Sequence, residues 1–258
     1  MTTKISIAGA KGRMGENLIQ SGLSNQNSQI VGVFDVTGID EIFLKKVGLP
    51  SNVKTSQEDS FVAADVIIDF TSPPALFSFT ESAVANNTAL IVGTTGLEEK
   101  HFKLLEQAGK SVKVFYAPNM SFGVNSFFNL ARKAASQLKS FDIEIIETHH
   151  RHKKDAPSGT AIKLGEEIAE ELNYSNENFN FDRQQKSEER KSKEIGFSSI
   201  RGGNIPGEHT VIFHGDNESI ELTHKSYNRK IFSDGAIEAA NWLVSQKNGL
   251  YSFRDMIT

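Results

Sequence analysis

At 258 residues, with roughly 150 per domain as the usual measure, the chain has room for one large domain or two small ones. Its 28 basic and 32 acidic residues give a net charge of −4, so the basic excess of a general nucleic-acid binder is missing. Zero cysteines exclude disulfides, thiolate metal sites and a cysteine nucleophile. No apolar run approaches the ~20 residues of a membrane span. A strand pattern begins almost at the first residue and leaves no room for a secretory signal, so a cytoplasmic globular protein is expected.

In chain order, short apolar runs at Ile5–Ala8, Ile30–Phe34, Val66–Phe70, Leu90–Val92 and Val112–Tyr116 read as strands. Amphipathic stretches at Met14–Leu23, Ala75–Asn86 and Glu98–Gly109 lie between them and read as helices. This alternation predicts βαβ units and a parallel sheet. The strands end in Gly9, Asp35, Thr71, Gly93 and Pro118, on the side where an open α/β sheet binds its ligand. After Asn119 the rhythm changes. A helix over Phe122–Leu138, a strand over Phe141–Thr148 and a helix from Thr160 to about Leu172 precede strands at Ile195–Ile200, His209–His214 and Ser219–His224. That order predicts an α+β second domain with a largely antiparallel or mixed sheet. The strongly polar residues 173–194 read as a surface excursion without chemistry, and a helix over Asp234–Ser245 is expected to pack back on the first domain.

The first strand runs into Gly9-Ala10-Lys11-Gly12-Arg13-Met14-Gly15 and then a helix. Glycines there allow a tight turn and close approach of a pyrophosphate, whose charge the helix amides would bind. The spacing is GxxGxxG, not the strict GxGxxG, and an ordinary strand–helix turn is the competing reading. Asp35, about 20 residues on at the end of the second strand, favours a dinucleotide, because a carboxylate there accepts hydrogen bonds from ribose hydroxyls. Gly93-Thr94-Thr95-Gly96 and Ala117-Pro118-Asn119-Met120 follow the fourth and fifth strands, where they would face the nicotinamide half.

The densest polar segment is Glu147-Thr148-His149-His150-Arg151-His152-Lys153-Lys154-Asp155-Ala156-Pro157-Ser158-Gly159-Thr160. A solvated charge run is one reading. A metal site is a second: His150 and His152 would alternate onto one strand face, but no third ligand stands at useful spacing. The third is a site that binds a dianion and delivers a proton. Histidine titrates near neutrality, Lys153 can neutralise a carboxylate or protonate the product, and Ser158-Gly159-Thr160 opens a helix whose amides receive a second carboxylate. That combination predicts a small dicarboxylate substrate and no metal.

The segment EIIETHHRHKKDAPSGTA, with IAGAKGRMG, DFTSP, GTTG, APNMSFGVN, IRGGNIPGEHTV, LTHKSYNR and the SFRDMI tail, resembles the 4-hydroxy-tetrahydrodipicolinate reductase (dihydrodipicolinate reductase) family over nearly the whole chain. The resemblance implies a Rossmann-type parallel-sheet domain over residues 1–120, with 230–258 packing back on it. Residues 121–229 would form a second α+β domain with a mixed sheet that binds substrate and builds a homotetramer. The implied reaction is NADH- or NADPH-dependent reduction of the dehydrated hydroxy-tetrahydrodipicolinate ring in the diaminopimelate–lysine pathway.

By the same resemblance His149 takes the proton donor/acceptor position and Lys153 the second proton-donor position. His150, Gly159 and Thr160 take substrate positions. Gly9, Ala10, Lys11, Gly12, Arg13, Met14, Asp35, Gly93, Thr94, Thr95, Ala117, Pro118, Asn119 and Met120 take cofactor positions. Val36 stands where some members carry an arginine for the NADP phosphate. Asp35 and Val36 therefore favour NADH, while Lys11 and Arg13 leave NADPH usable. Two alternatives stand beside this reading, a reductase of another small dicarboxylate and a non-catalytic dinucleotide sensor. No nucleic-acid or membrane partner is expected.

Overall fold

The computed structural model describes residues 2–183 and 188–257. The chain divides into two compact units, residues 1–122 with 230–258, and residues 123–229. The first half runs β1 (Thr3–Ala8), α1 (Arg13–Ser24), β2 (Ser28–Phe34), α2 (Glu41–Val47), α3 (Gln57–Ala63), β3 (Val66–Asp69), α4 (Ala75–Asn86), β4 (Ala89–Val92), α5 (Glu99–Gly109) and β5 (Lys113–Tyr116). Then come α6 (Phe122–Gln137), β6 (Asp142–His149), α7 (Gly159–Leu172), β7 (Phe179–Asn180), β8 (Ile195–Arg201), β9 (Gly207–His214) and β10 (Ser219–Ser226). Finally α8 (Lys230–Leu243), β11 (Gly249–Tyr251) and α9 (Phe253–Met256) return to the first unit.

All six strands of the first sheet are parallel, in the order β11-β5-β4-β3-β1-β2. The sequences VIID of β3 and ALIV of β4 are buried at every position, as a parallel sheet covered on both faces requires. One core contains Ile5, Ile7, Val66, Ile68 and Ile91 with Ala236, Ile237 and Leu243 of α8; the other contains Ile67, Leu90 and Val92 with Leu76, Phe79 and Leu105. Beyond β2 the Lys54 backbone forms a parallel bridge to Gly32, a rudimentary outer strand. Chain order reverses between β1 and β3, and the crevice at that switch point, beyond the carboxyl ends of the strands, is where such sheets bind ligands. This is a Rossmann-type arrangement.

The second sheet is mixed, in the order β10-β9-β6-β8-β7. β6 pairs parallel with β8 and antiparallel with β9, and β9 pairs antiparallel with β10. Ile143, Ile145, Ile195, Val211 and Phe213 pack on the α6 residues Val124, Phe127 and Phe128 and on Leu164 and Ile168 of α7. The polar segment 173–194 is more than an excursion. It carries β7, which adds to the edge of β8, and Arg190, which donates to the carbonyls of Ile143 (2.9 Å) and Glu194 (2.5 Å). Residues 184–187 of that segment lie outside the described residues. Among the described residues no helix is long and apolar enough to cross a membrane.

Candidate active site

In the first unit the β1–α1 loop turns on Gly9, with φ at +69°, and α1 starts with no side-chain cap, which leaves its first amides for a ligand. Gly15 is required for packing: a Cβ there would lie 2.2 Å from the Gly9 carbonyl oxygen, so the helix could not come so close to the strand. A cleft of about 520 Å3 opens beside this loop, lined by Gly9, Gly12, Asp35, Val36, Thr71 and Ser72 among others. Asp35 accepts from the Lys11 amide (3.1 Å) and from the amide (3.0 Å) and hydroxyl (2.8 Å) of Thr37. Burial works against its charge, but the Thr37 and Lys11 hydrogen bonds prevail and hold its carboxyl below the ordinary value. Val36 is fully exposed at the cleft wall. The Lys11 ammonium rests 5.9 Å from the Phe43 ring centroid, and Arg13 is exposed.

These features fit a dinucleotide: a positive-φ glycine, a close strand–helix contact, free helix amides and a carboxylate at the end of β2. Of the remaining sequence-predicted positions, Ala10, Ala117 and Met120 have their side chains in the apolar core, so only their backbones are available to a ligand. Gly93 and Thr94 are buried, Met14 and Asn119 are half-buried, and Thr95 and Pro118 are exposed. Asn119 receives the Ser121 amide (2.9 Å). Sequence reasoning missed Asp69. Fully buried at the end of β3, it accepts from the amide (2.8 Å) and hydroxyl (2.6 Å) of Thr71 and from the Thr94 hydroxyl (3.0 Å), tying the loops after β3 and β4 together. Burial raises its pKa.

In the second unit the alternation Ile143-x-Ile145-x-Glu147-x-His149 points all four side chains to the helix-covered face. Glu147 is 1% exposed and is the hub of the site. It accepts from His149 Nδ1 (2.5 Å), from the Ser158 amide (3.2 Å) and, through both oxygens, from the Arg201 guanidinium (2.9 and 2.7 Å). Burial opposes its ionisation, yet the Arg201, Ser199 and His149 hydrogen bonds lower its pKa from 4.5 to about 2. Ser158 caps α7 by accepting from the Ala161 amide (3.2 Å), and its hydroxyl pairs with His209 Nε2 (2.9 Å). The first turn of α7, from Gly159 and Thr160, is thereby capped by Ser158, and the Cβ direction at Gly159 meets nothing within 4 Å.

Burial lowers the His149 pKa, with Lys153 and Arg201 acting the same way against Glu147. His209 is pushed by burial, aided by its neighbour His149, from 6.5 to about 3. Lys153 Nζ sits 2.8 Å from both Asp155 carboxylate oxygens. His150 donates its amide to Ile205 O (2.8 Å), and its ring Nδ1 is buried without a hydrogen-bond partner. β6 ends at His149, so His150 and His152 do not share a strand face as the metal reading supposed; their rings lie 6.2 Å apart in the following turn. Among the described residues no group of three metal-ligating side chains is present.

Sequence reasoning also gave no role to Glu147, Arg201 or His209. The signal was available. A carboxylate on the apolar face of a strand is costly unless paired, and Arg201 stands second in the IRGGN segment.

The chain carries a Rossmann-type sheet and its relatives are reductases, which places it among the oxidoreductases. The model of the dihydrodipicolinate reductase N-terminus matches residues 3–120 and that of its C-terminus residues 123–257. The chain is 42% identical over 98% of its length to the 4-hydroxy-tetrahydrodipicolinate reductase of Polynucleobacter necessarius, 98% of which is covered. It is 41% identical over its full length to that of Alkalilimnicola ehrlichii, with 99% covered. The dipicolinate-bound dihydrodipicolinate reductase of Paenisporosarcina sp. TG-14 superposes with a TM-score of 0.79 at 27% identity, each chain fully covered. The chain belongs to the dihydrodipicolinate reductase family.

Proposed function

We propose that the chain reduces the dehydrated 4-hydroxy-tetrahydrodipicolinate ring to tetrahydrodipicolinate, a step of the diaminopimelate–lysine pathway, with His149 as proton donor. One observation carries the reading: a single carboxylate, Glu147, holds both His149 and the start of α7, so a proton donor and an anion receptor are built on one frame. The solved relative with dipicolinate bound supports a pyridine-type dicarboxylate as ligand. The Gly9–Met14 loop with Asp35, Gly93-Thr94-Thr95 and Ala117–Met120 would hold the dinucleotide. When bound, reduced nicotinamide supplies a hydride to the conjugated ring. The amides of Gly159 and Thr160 and the ring of His150 would orient the carboxylates, and His149 would place the proton on the neighbouring carbon. The test is loss of reduced-nicotinamide absorbance with enzymatically generated substrate; no oxidation would favour the sensor or another reductase.

Lys153 would stand beside the substrate's charge, released from Asp155 when a carboxylate competes for it. Lys153→Ala is expected to lower kcat by about 10–100-fold and to raise KM as well, because a second proton donor acts in the transition state. Steady-state kinetics decide this, with the exposed neighbour Lys154→Ala as control. A change confined to KM would make Lys153 a carboxylate anchor only.

The cofactor preference should favour NADH, with NADPH usable. An ionised Asp35 receives ribose hydroxyls and repels a 2′-phosphate, and Val36 offers no compensating charge. Lys11 and Arg13 soften the repulsion, so the preference is on the order of 1–2 kcal/mol. Asp35→Ala/Val36→Arg should reverse it towards NADPH, read as the ratio of kcat/KM for the two cofactors. A wild type that strongly prefers NADPH would overturn the assignment.

Action in the cytoplasm as a homotetramer completes the reading. Ile146 and Ile212, half-exposed on the face of β6 and β9 opposite the helices, support assembly through the second unit. Sedimentation of the purified protein tests it.

A further inference from the structure

We infer that Glu147, clamped by Arg201, is a positioning residue for the proton donor: it accepts the Nδ1–H hydrogen bond of His149 and so leaves Nε2 as the nitrogen that exchanges a proton with substrate. The inference deepens the proposed function and rests on it for the kinetics, but not for the ring geometry.

An ionised carboxylate only accepts hydrogen bonds. Glu147 stays ionised because it faces a guanidinium through both oxygens and also receives the Ser158 amide. With His149 Nδ1 at 2.5 Å, the proton of that contact must therefore lie on Nδ1. Nε2 points the other way. A Cβ on Gly207 would stand 3.0 Å from Nε2, so β9 approaches this nitrogen closely only because residue 207 has no side chain.

Arg201 makes the pair unlike a simple carboxylate–histidine dyad. Its two charged hydrogen bonds spend most of the Glu147 charge, so Glu147 orients the imidazole more than it raises its basicity. Arg201 also donates to the Asp155 carbonyl (2.6 Å), and Asp155 holds Lys153. The groups facing His149 are thus Glu147 on its own strand, Arg201 from β8, His209 from β9 with ring centroids 5.1 Å apart, and Lys153 from the following loop. α7 contributes the uncharged Ser158 at its cap.

The experiment has two arms. In the first, the full-length wild-type protein is labelled with 15N-histidine, and the imidazole shifts and couplings of His149, assigned by its loss in His149→Gln, are read at neutral pH. The Nδ1–H tautomer is expected; an Nε2–H ring would overturn the proposal without any further variant. The second arm uses Glu147→Gln, whose amide cannot accept from every surrounding donor, and Glu147→Asp, which keeps the charge. In folded Glu147→Gln, kcat should fall ~10²-fold, KM should change much less, and His149 should lose its single tautomer. Glu147→Asp should recover part of both. Arg201→Lys keeps the cation but breaks the fork, and should shift the pH limb of kcat/KM upward as Glu147 turns its charge to the imidazole. Wild-type kcat in folded Glu147→Gln, with the tautomer unchanged, would overturn the proposal. If His149→Gln itself keeps full kcat, the proton-donor reading fails, while the tautomer arm still decides how Glu147 orients the ring.

Discussion

His149→Gln is expected to lower kcat by roughly 10²–10⁴-fold, the usual worth of one general acid. Glutamine approximates the size of the ring and can still donate to Glu147, so the fold of the second unit should survive. Dinucleotide affinity should barely move, because the residues proposed to hold it belong to the other unit. The pH profiles should show the donor directly. In the free protein burial holds the His149 pKa below its ordinary 6.5, so kcat/KM for the acid-dependent step should decline with rising pH from below that value. A bound dicarboxylate brings negative charge to the imidazole and stabilises its protonated form, so the decline in kcat should come at higher pH. The separation of the two limbs measures how much the substrate raises its own proton donor. Near-wild-type kcat in the variant would remove His149 from the mechanism.

The strands that carry this chemistry were legible in the sequence because each is an apolar run closed by a polar or small residue. β2 ends before Asp35, β4 before Gly93, and β6 ends on His149 itself. The second helix of the site was legible through Ser158, whose hydroxyl caps α7. Short elements escaped: α2 and α3 are seven residues each, too brief for a helical period to show, and β7 and β11 have two and three residues. Asp40 and Ser56, which cap α2 and α3, and Gly48, which ends α2 with a positive φ, carried the local signal. The network around Glu147 escaped for a different reason. Its partners stand 54 residues away at Arg201 and 11 away at Ser158, and Ser158 meets His209 across another 51. Local pattern shows that a buried carboxylate needs a cation, but the register of β6 against β8 decides which one: His149 lies opposite Arg201. The same holds for Asp69, whose link to Thr94 exists only because β3 and β4 are neighbours.

Acid should destabilise this protein before Glu147 titrates. His209 is 4% exposed, and burial, aided by neighbouring His149, takes its pKa from 6.5 to about 3. The unfolded chain binds a proton at this residue from pH 6.5 downward, and the folded chain does not until about pH 3. The stabilisation is therefore complete above 6.5 and drains away as the pH falls through that window. For a buried group coupled to its neighbours the loss is on the order of 3–5 kcal/mol at the bottom, comparable to the whole stability of a modest domain. His149 and His224, also lowered by burial, add in the same direction. Glu147 contributes later: its pKa falls from 4.5 to about 2, so its share is lost only below 4.5. Between pH 6.5 and 4.5 the histidines thus act ahead of Glu147. His209→Gln, which retains a polar group for the Ser158 hydroxyl, should be less stable at neutral pH and should lose stability less steeply through this range. Urea midpoints measured across it for both proteins are the test. A flat wild-type curve between 6.5 and 4.5, or an equal slope in the variant, would show that His209 is not the group that titrates.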